Sequence, residues 1–247
     1  MIVGIHQPHF IPWVGYFDKM AKSDLFVLLD QVQLEKGSYM YRNRIVDVSG
    51  NVSYLTISAD KHGYLDKSFK DIRVKDADVW MPKHLDMLKC AYGSCEYFGE
   101  IYPLVEELYQ TPPETVCEFD IRSIELIASI LGIRTKLVMQ STIPNVEEGK
   151  KNELVLNICK ALGADGYLSG NGARKYTDEN TFAQAGIMLR YQSITVPTYE
   201  QRGTQEFVGG LSILDMLFNV GAKETCRLFW DMVFQGNEFA REERCTT

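Results

Sequence analysis

The chain begins with MIVGIHQPHFIPWVGYFDKMAKSDLFVLLD, residues 1–30, and this stretch decides the fold. Residues 1–8 are an apolar run with β-branched side chains, closed by Pro8, which predicts a buried strand. A loop with proline and glycine follows, then a short helix at about 13–22 and a second buried strand at 24–29. Strand, helix and strand within thirty residues predict a βαβ unit, in which the strands are parallel and the crossover is right-handed.

The rest of the chain extends this unit. Shorter alternating segments predict a β-hairpin with strands at 44–48 and 53–57, and helices are expected at about 80–92, 97–109 and 118–131. Strands at 135–140, 166–169 and 187–192 then alternate with helices at 152–162 and 178–185, before C-terminal helices at 211–219 and 224–233. The fold class is therefore α/β, a Rossmann-like mostly parallel sheet with a helical and β-hairpin section (about 31–130) inserted after the first βαβ unit. We expect one domain over 1–234 and a polar tail at 235–247.

Composition limits the classes of function. The chain has 247 residues, 45% of them hydrophobic, and a net charge of −7, which argues against nucleic acid as the main partner. No window has the ~18 to 20 apolar residues of a membrane span, and the start does not resemble a signal peptide. The six cysteines show no CxxC pair, so we expect reduced thiols, a cytoplasmic protein and no metal site.

The first loop is rich in polar and aromatic side chains at the end of a predicted strand, where open α/β sheets bind ligands. It runs from His6 to Lys19. Two prolines stiffen it, Gly15 would let a ligand approach the backbone, and the helix N-terminus favours an anion. The alternative is that Trp13, Tyr16 and Phe17 pack the helix onto the sheet and that His6 is a hydrogen-bonded core residue.

A second loop, residues 168–176, also follows a predicted strand. It reads LSGNGARKY. It is not a Walker A loop, and it fails GxGxxG because Lys175 stands where the third glycine belongs. Two glycines beside Arg174 still suit a phosphate or carboxylate, although a plain turn is the alternative. Because both loops leave parallel strands at one edge of the sheet, we expect them to form one pocket.

Four weaker signals lie elsewhere. Arg42 and Asn43 supply polar groups in the hairpin region, or simply a solvated strand edge. His84 shares a helix face with apolar residues, and a structural histidine is the main alternative to a base. Asp215 belongs to a polar helix stripe that can equally be a wet face. The pair Asp76 and Asp78 matches the DxD motif of glycosyltransferases, a match short enough to arise by chance.

The motifs resemble one known family. They are His6-Gln7-Pro8, Pro12-Trp13, Gly15-Tyr16-Phe17-Asp18-Lys19, Arg42-Asn43-Arg44-Ile45, Trp80 with Lys83-His84, Leu168-Ser169-Gly170 and 211–219. Together they resemble the WbqC-like family, which occurs with bacterial O-antigen and other surface-polysaccharide biosynthesis. The resemblance covers nearly the whole chain and departs at Tyr39, where tryptophan is expected. It implies glycine or aminoacyl transfer onto an amino sugar.

A fainter similarity concerns activation of the acyl group. The first strand, loop and Gly-aromatic helix start are similar to HxGH nucleotidyltransferases and to ligases of the pantoate–β-alanine type. Residues 13–16 occupy the HxGH register without its histidines, for which His6 and His9 could substitute. The similarity implies carboxylate adenylation by ATP with Mg²⁺, followed by attack of an amine.

We therefore expect a transferase or ligase that attaches an aminoacyl (glycyl) or other small acyl group to an amino sugar, which is nucleotide-linked, during lipopolysaccharide O-antigen synthesis. The candidate catalytic residues are His6 and His84. The candidate substrate-binding residues are Gln7, His9, Trp13, Gly15, Tyr16, Lys19, Arg42, Asn43, Ser169, Gly170, Asn171, Arg174 and Asp215. Partners are small molecules (an amino-sugar nucleotide and glycine or another acyl donor), and homo-oligomerisation stays open. The alternatives are a nucleotidyltransferase or glycosyltransferase, or a non-catalytic subunit that binds a sugar nucleotide.

Overall fold

A computed structural model describes residues 1–146, 149–175 and 177–234 of the chain. The strands are β1 (Ile2–His6), β2 (Leu25–Leu28), β3 (Arg42–Val46), β4 (Val52–Thr56), β5 (Lys136–Met139), β6 (Gly166–Ser169) and β7 (Met188–Tyr191). The α-helices are α1 (Val14–Ala21), α2 (Ala77–Tyr92), α3 (Phe98–Leu108), α4 (Val116–Ile130), α5 (Asn152–Ala161), α6 (Glu179–Gln184) and α7 (Ile213–Val233). The predicted tail at 235–247 lies outside the described residues.

The main sheet is parallel throughout, in the order β5-β2-β1-β6-β7. After β1 the chain builds the sheet outward on one side through β2 and β5, and then returns to the other side for β6 and β7. The direction in which the chain winds therefore reverses between β1 and β6. This reversal creates a crevice at the carboxyl ends of the strands, where Rossmann-like sheets bind ligands. The predicted Rossmann-like α/β fold is confirmed.

Alternation along the central strands divides the core into two layers. Val3, Ile5 and Val27 face the layer that contains α5 and α6, whereas Phe26 and Leu28 face the layer that contains α1, α2, α3, α4 and α7. Because both faces are covered by helices, the strands read as nearly continuous apolar runs, as parallel strands do. Because helices cover both faces of the sheet, a ligand reaches its strands at their ends.

The inserted section follows β2. Strands β3 and β4 pair antiparallel, one to two residues before the predicted positions, and α2, α3 and α4 complete the section before β5. The shift arises at Asp47, whose side chain accepts hydrogen bonds from the main-chain nitrogens of Ser49 and Asn51. An aspartate that bonds its neighbouring main chain in this way turns the chain and ends the strand.

The C-terminal helices form one element interrupted by a kink. The two predicted helices correspond to the two halves of α7, which are separated at Gly221 by non-helical backbone (φ 80°, ψ 167°). A Cβ at Gly221 would stand 2.5 Å from the Tyr97 ring, so the kink also allows a close approach to α3. Within the described residues, no helix is both long and apolar enough to cross a membrane.

Candidate active site

A cavity of about 400 Å³ opens at the crevice between β1 and β6. Three parts of the chain supply its walls: the end of β1 with the start of α1, the loop after β6, and the segment after β7. The lining residues are His6, Trp13, Gly15, Tyr16, Lys19, Gly170, Asn171, Gly172, Gln192, Ile194 and Val196. The structure thus brings residues of both predicted loops into one cavity.

His6 is the last residue of β1 and has a defined tautomer. Its Nδ1 lies 3.0 Å from the main-chain oxygen of Gln7. Because a carbonyl oxygen only accepts, Nδ1 carries the proton and Nε2 keeps its lone pair. Burial lowers the pKa of His6 well below its usual value, and the nearby His9 and Lys19 lower it further. His6 is therefore a neutral imidazole with a free basic nitrogen, and Gln7 orients it through the main chain.

His9 and Tyr16 complete an aromatic cluster around His6. The ring centroids of His6 and His9 are 4.6 Å apart, and those of His6 and Tyr16 are 4.9 Å apart. The Tyr16 hydroxyl donates to the same Gln7 carbonyl at 3.1 Å. Burial lowers the pKa of His9 to about 4. Tyr39, the residue that departs from the family pattern, is exposed, and its ring centroid is 5.9 Å from that of His9.

Lys19 contributes an amine that is almost completely removed from solvent, with 3% of the residue exposed. Its Nζ donates at 2.6 Å to the main-chain oxygen of Ile5, the residue before His6 on β1. Burial lowers the pKa of this amine to about 7. The same burial that hides the side chain thus leaves Lys19 partly uncharged at neutral pH.

The wall opposite β1 contains residues that the sequence reasoning missed. Gln192 directly follows β7, and its Nε2 donates to the main-chain oxygen of Gly15 and to Oδ2 of Asp18, each at 2.7 Å. Asp18 is fully buried and pairs with Lys22 at 2.6 Å. The rule that ligands bind at strand ends could have identified Gln192, but no sequence signal indicated the apolar Ile194 and Val196.

The loop between His6 and α1 carries backbone strain at Ile11 (φ 38°), in a region that β-branched residues rarely adopt. Three side chains hold it. Asn43 Nδ2 donates to the carbonyl oxygens of Phe10 (3.0 Å) and Ile11 (2.7 Å), and Ser212 Oγ donates to that of Ile11 at 2.9 Å. The Ile11 nitrogen donates to Ser123 Oγ at 3.3 Å. Asn43, predicted to bind substrate, is thus buried as a brace of the loop that carries the site.

His84, predicted as a second base, lies in the core and does not line the cavity. Its Nε2 contacts the Thr56 main chain, 2.9 Å from the nitrogen and 3.1 Å from the carbonyl oxygen, and its ring packs against Trp80 and Phe10, with centroids 5.0 and 5.7 Å away. Burial lowers its pKa to about 4. His84 lies on the apolar face of α2, and its contact with Thr56 joins α2 to β4. Its position is therefore that of a structural histidine, the alternative that the sequence pattern left open.

Three other predicted ligand-binding residues are placed away from the cavity. Arg42 donates to the Gly37 carbonyl and lies over the Tyr54 ring, and Arg174 lies over the Tyr191 ring with its guanidinium exposed. Asp215 is buried on α7. Its carboxylate accepts from the Tyr92 and Tyr199 hydroxyls and from Gln201 Nε2. None of these residues lines the cavity, because each side chain is already engaged with its own part of the fold.

The glycine loop after β6 has a different form from the one predicted. Residues Asn171–Lys175 form a short 3₁₀ helix, and Tyr176 lies outside the described residues. Gly170, Asn171 and Gly172 line the cavity, whereas Ser169 is fully buried beneath them. A Cβ built on Gly170 or Gly172 would meet no atom within 4 Å, so these glycines leave open space at the cavity.

Metal ligands are not grouped in the part of the chain that the structure describes: no three His, Cys, Asp or Glu side chains could hold an ion there. The DxD pair lies at the start of α2, with Asp76 in left-handed backbone (φ 51°), and it does not line the cavity. The arrangement provides instead one free imidazole nitrogen, one desolvated amine and aromatic walls. Such groups can accept a proton, bind an anion and hold a ring.

The fold and the cavity together define the class: an α/β protein with a parallel Rossmann-like sheet and a cavity at its switch point. The family model of the WbqC-like protein family matches residues 7–226, and the chain belongs to this family. It is also 32% identical over 222 residues to the uncharacterized protein Rv1507c of Mycobacterium tuberculosis, a match that covers 90% of this chain and 94% of the relative. No solved structure gives a significant match.

Proposed function

We propose that the protein is a transferase or ligase that joins an aminoacyl or other small acyl group to the amine of a nucleotide-linked amino sugar in surface-polysaccharide synthesis. One observation carries the proposal: a neutral imidazole, that of His6, lines a cavity at the switch point of a Rossmann-like sheet, and its Nε2 has no hydrogen-bond partner among the described residues. Nucleotide ligands bind at this position in such sheets, and amide formation needs a base there.

In this proposal His6 is the general base. The sugar amine attacks the activated acyl carbon, a C–N bond forms, and the bond from that carbon to its leaving group breaks. His6 Nε2 takes the proton that the amine loses and returns it to solvent or to the leaving group. A base of this kind contributes typically 10²–10⁴-fold to the rate. Its neutrality in the cavity is what makes the nitrogen available.

The walls would position the sugar nucleotide. Trp13 and Tyr16 offer ring faces on which a sugar or base can pack, a use for which aromatic side chains are suited. Asn171 and Gln192 offer amides, and the open space at Gly170 lets the ligand approach the main chain. Arg42, Arg174, Asp215, Asn43 and His84 have no role in substrate contact in this proposal, because each lies outside the cavity.

The acyl group must arrive activated or be activated in this site, because a free carboxylate and an amine do not condense in water. We favour activation by ATP with Mg²⁺, in which the carboxylate attacks the α-phosphorus, pyrophosphate leaves and the amine then displaces AMP. The metal would be held largely by the phosphates. An acyl thioester is the competing donor.

The assay incubates the protein with glycine, ATP, Mg²⁺ and an amino-sugar nucleotide, and follows AMP, pyrophosphate and the amide by mass spectrometry. We expect all three products from the wild type, and amide formation at least about 100-fold slower in His6→Ala. Amide made from glycyl thioester without ATP would overturn adenylation and keep acyl transfer. Tight binding of the sugar nucleotide with no product from either donor would favour a non-catalytic binding subunit instead. A cytoplasmic site of action is part of the proposal, and the free thiols of the five described cysteines fit it.

A further inference from the structure

The Lys19 amine has no acidic side chain beside it in the cavity lining. The lining contains this lysine and His6 but neither aspartate nor glutamate. The nearest carboxylate in sequence, Asp18, accepts from Gln192 and forms an ion pair with Lys22 on the adjacent turn of α1. The negative charge of Asp18 is thus already compensated, and among the described residues Lys19 donates a hydrogen bond only to the Ile5 carbonyl.

The other groups around Lys19 carry no negative charge either. His6 and His9 on the β1 side are neutral bases. The Tyr167 ring of β6 lies 5.7 Å from Nζ, and burial raises the pKa of Tyr167 to about 12, so its hydroxyl is un-ionised. Tyr16 on α1 is likewise un-ionised because burial raises its pKa. A desolvated ammonium without a counter-ion is costly, and the burial that lowers the pKa of Lys19 to about 7 expresses that cost.

From this geometry we infer that Lys19 binds the diphosphate of the nucleotide-linked substrate and takes up a proton as that anion enters the cavity. The inference rests on the proposed function for the identity of the ligand. A diphosphate supplies the missing negative charge beside this buried amine, and an opposite charge at contact distance restores the ammonium form. The open space beside Gly170 and Gly172 gives the anion room.

Proton uptake makes the affinity depend on pH in a defined direction. In the empty cavity Lys19 is mostly neutral above pH 7, whereas in the complex it stays protonated. When binding takes up one proton, the affinity falls tenfold for each unit by which the pH rises. The dissociation constant should therefore rise by up to tenfold per unit from about pH 7.5 to 9, while an unlinked site would show a flat profile.

The test is isothermal titration calorimetry of the full chain with ADP-glucose and with UDP-N-acetylglucosamine at pH 8, in two buffers of different ionisation enthalpy. The diphosphate diester of both probes does not titrate in this range. We expect an uptake of one half to one proton per ligand with at least one probe. Lys19→Met should weaken binding at least tenfold and abolish the uptake, whereas Lys19→Arg should keep the affinity and lose the pH dependence.

Lys160→Met is the matched control, because Lys160 is an exposed lysine of α5 that lies outside the cavity lining. It should bind like the wild type. Failure of both probes to bind at millimolar concentration, a flat pH profile in the wild type, or unchanged affinity in folded Lys19→Met would each overturn the inference. Proton-linked binding without any amide product would overturn the proposed reaction and leave the Lys19 assignment standing. Normal amide formation by Lys19→Met would overturn the Lys19 assignment and leave the proposed reaction standing.

Discussion

The indole of Trp13 lies directly against the backbone of Gly15, so that a Cβ on Gly15 would stand 2.5 Å from the Trp13 ring carbon Cη2. Trp13 precedes the first turn of α1 and contributes no side-chain cap to that helix. Glycine is therefore needed at position 15 to make room for the indole ring, and not for the conformation of the helix. Since both residues line the cavity, this contact sets the shape of one wall.

Gly15→Ala should displace the indole and weaken binding of the sugar nucleotide about tenfold, since overpacking of this kind costs about 1–3 kcal/mol. Calorimetric affinity and tryptophan fluorescence would measure the two effects. Gly99→Ala is the matched control: Gly99 is also the second residue of its helix, and a Cβ there meets no atom. It should be neutral or stabilising by about 1 kcal/mol. Unchanged affinity in Gly15→Ala would refute the role of this contact.

Mutation should have different effects on the two histidines that the sequence suggested as bases, His6 and His84. His6→Ala should reduce turnover at least about 100-fold and change the free energy of unfolding by no more than about 1 kcal/mol. His84→Ala should retain turnover below its melting temperature but lose about 2–3 kcal/mol, because it removes the hydrogen bond between the ring and the Thr56 main chain and leaves a cavity in the core. Denaturant unfolding and the amide assay provide the two readouts. A His6→Ala protein with full turnover would remove the proposed mechanism.

Asn43→Ala should destabilise the protein by about 2 kcal/mol, because the Phe10 carbonyl loses its side-chain partner and the Ile11 carbonyl keeps only Ser212. Turnover should also fall, since the strained loop at Ile11 carries the cavity wall. Chemical denaturation and steady-state kinetics would measure these changes. Asn51→Ala, in the exposed hairpin turn, is the control and should stay within about 0.5 kcal/mol of the wild type. Equal effects in the two variants would contradict the bracing role.

Acid should destabilise the protein in a window fixed by its buried histidines. His9 and His84 have pKa values of about 4 in the folded chain, below the 6.5 of an unfolded histidine, and burial also lowers the pKa of His6 well below that value. Between these values the unfolded state binds more protons, so the free energy of unfolding falls as the pH drops from about 6.5 to 4. Urea denaturation at half-unit pH steps would show this slope.

His84→Gln should reduce that slope, because it removes one of the three buried histidines with a lowered pKa. His62→Gln is the control, since the His62 side chain is exposed in a loop. Its slope should match that of the wild type. If His84→Gln keeps the full wild-type slope between pH 6.5 and 4, the acid sensitivity comes from other groups.

The sequence by itself determined the order of helices and strands, the parallel sheet and the edge at which the cavity lies. Apolar periodicity and turn residues are local signals, and the 1–30 segment contains a complete βαβ unit whose handedness follows from chain geometry. The prediction that the loops after β1 and β6 share a site follows from the same geometry, since these strands are neighbours in the sheet.

Only the tertiary structure decided which polar side chains reach the cavity. His6 and Lys19 lie on β1 and α1, whose faces are fixed by strand and helix period, so their approach could be anticipated. Arg42, Asn43, His84, Arg174 and Asp215 have chemistry equally suited to a ligand, but each is engaged by a partner that is distant in sequence or brought near by a turn. Such pairings depend on how the inserted section and α7 pack onto the first loop, and a one-dimensional pattern does not encode that packing.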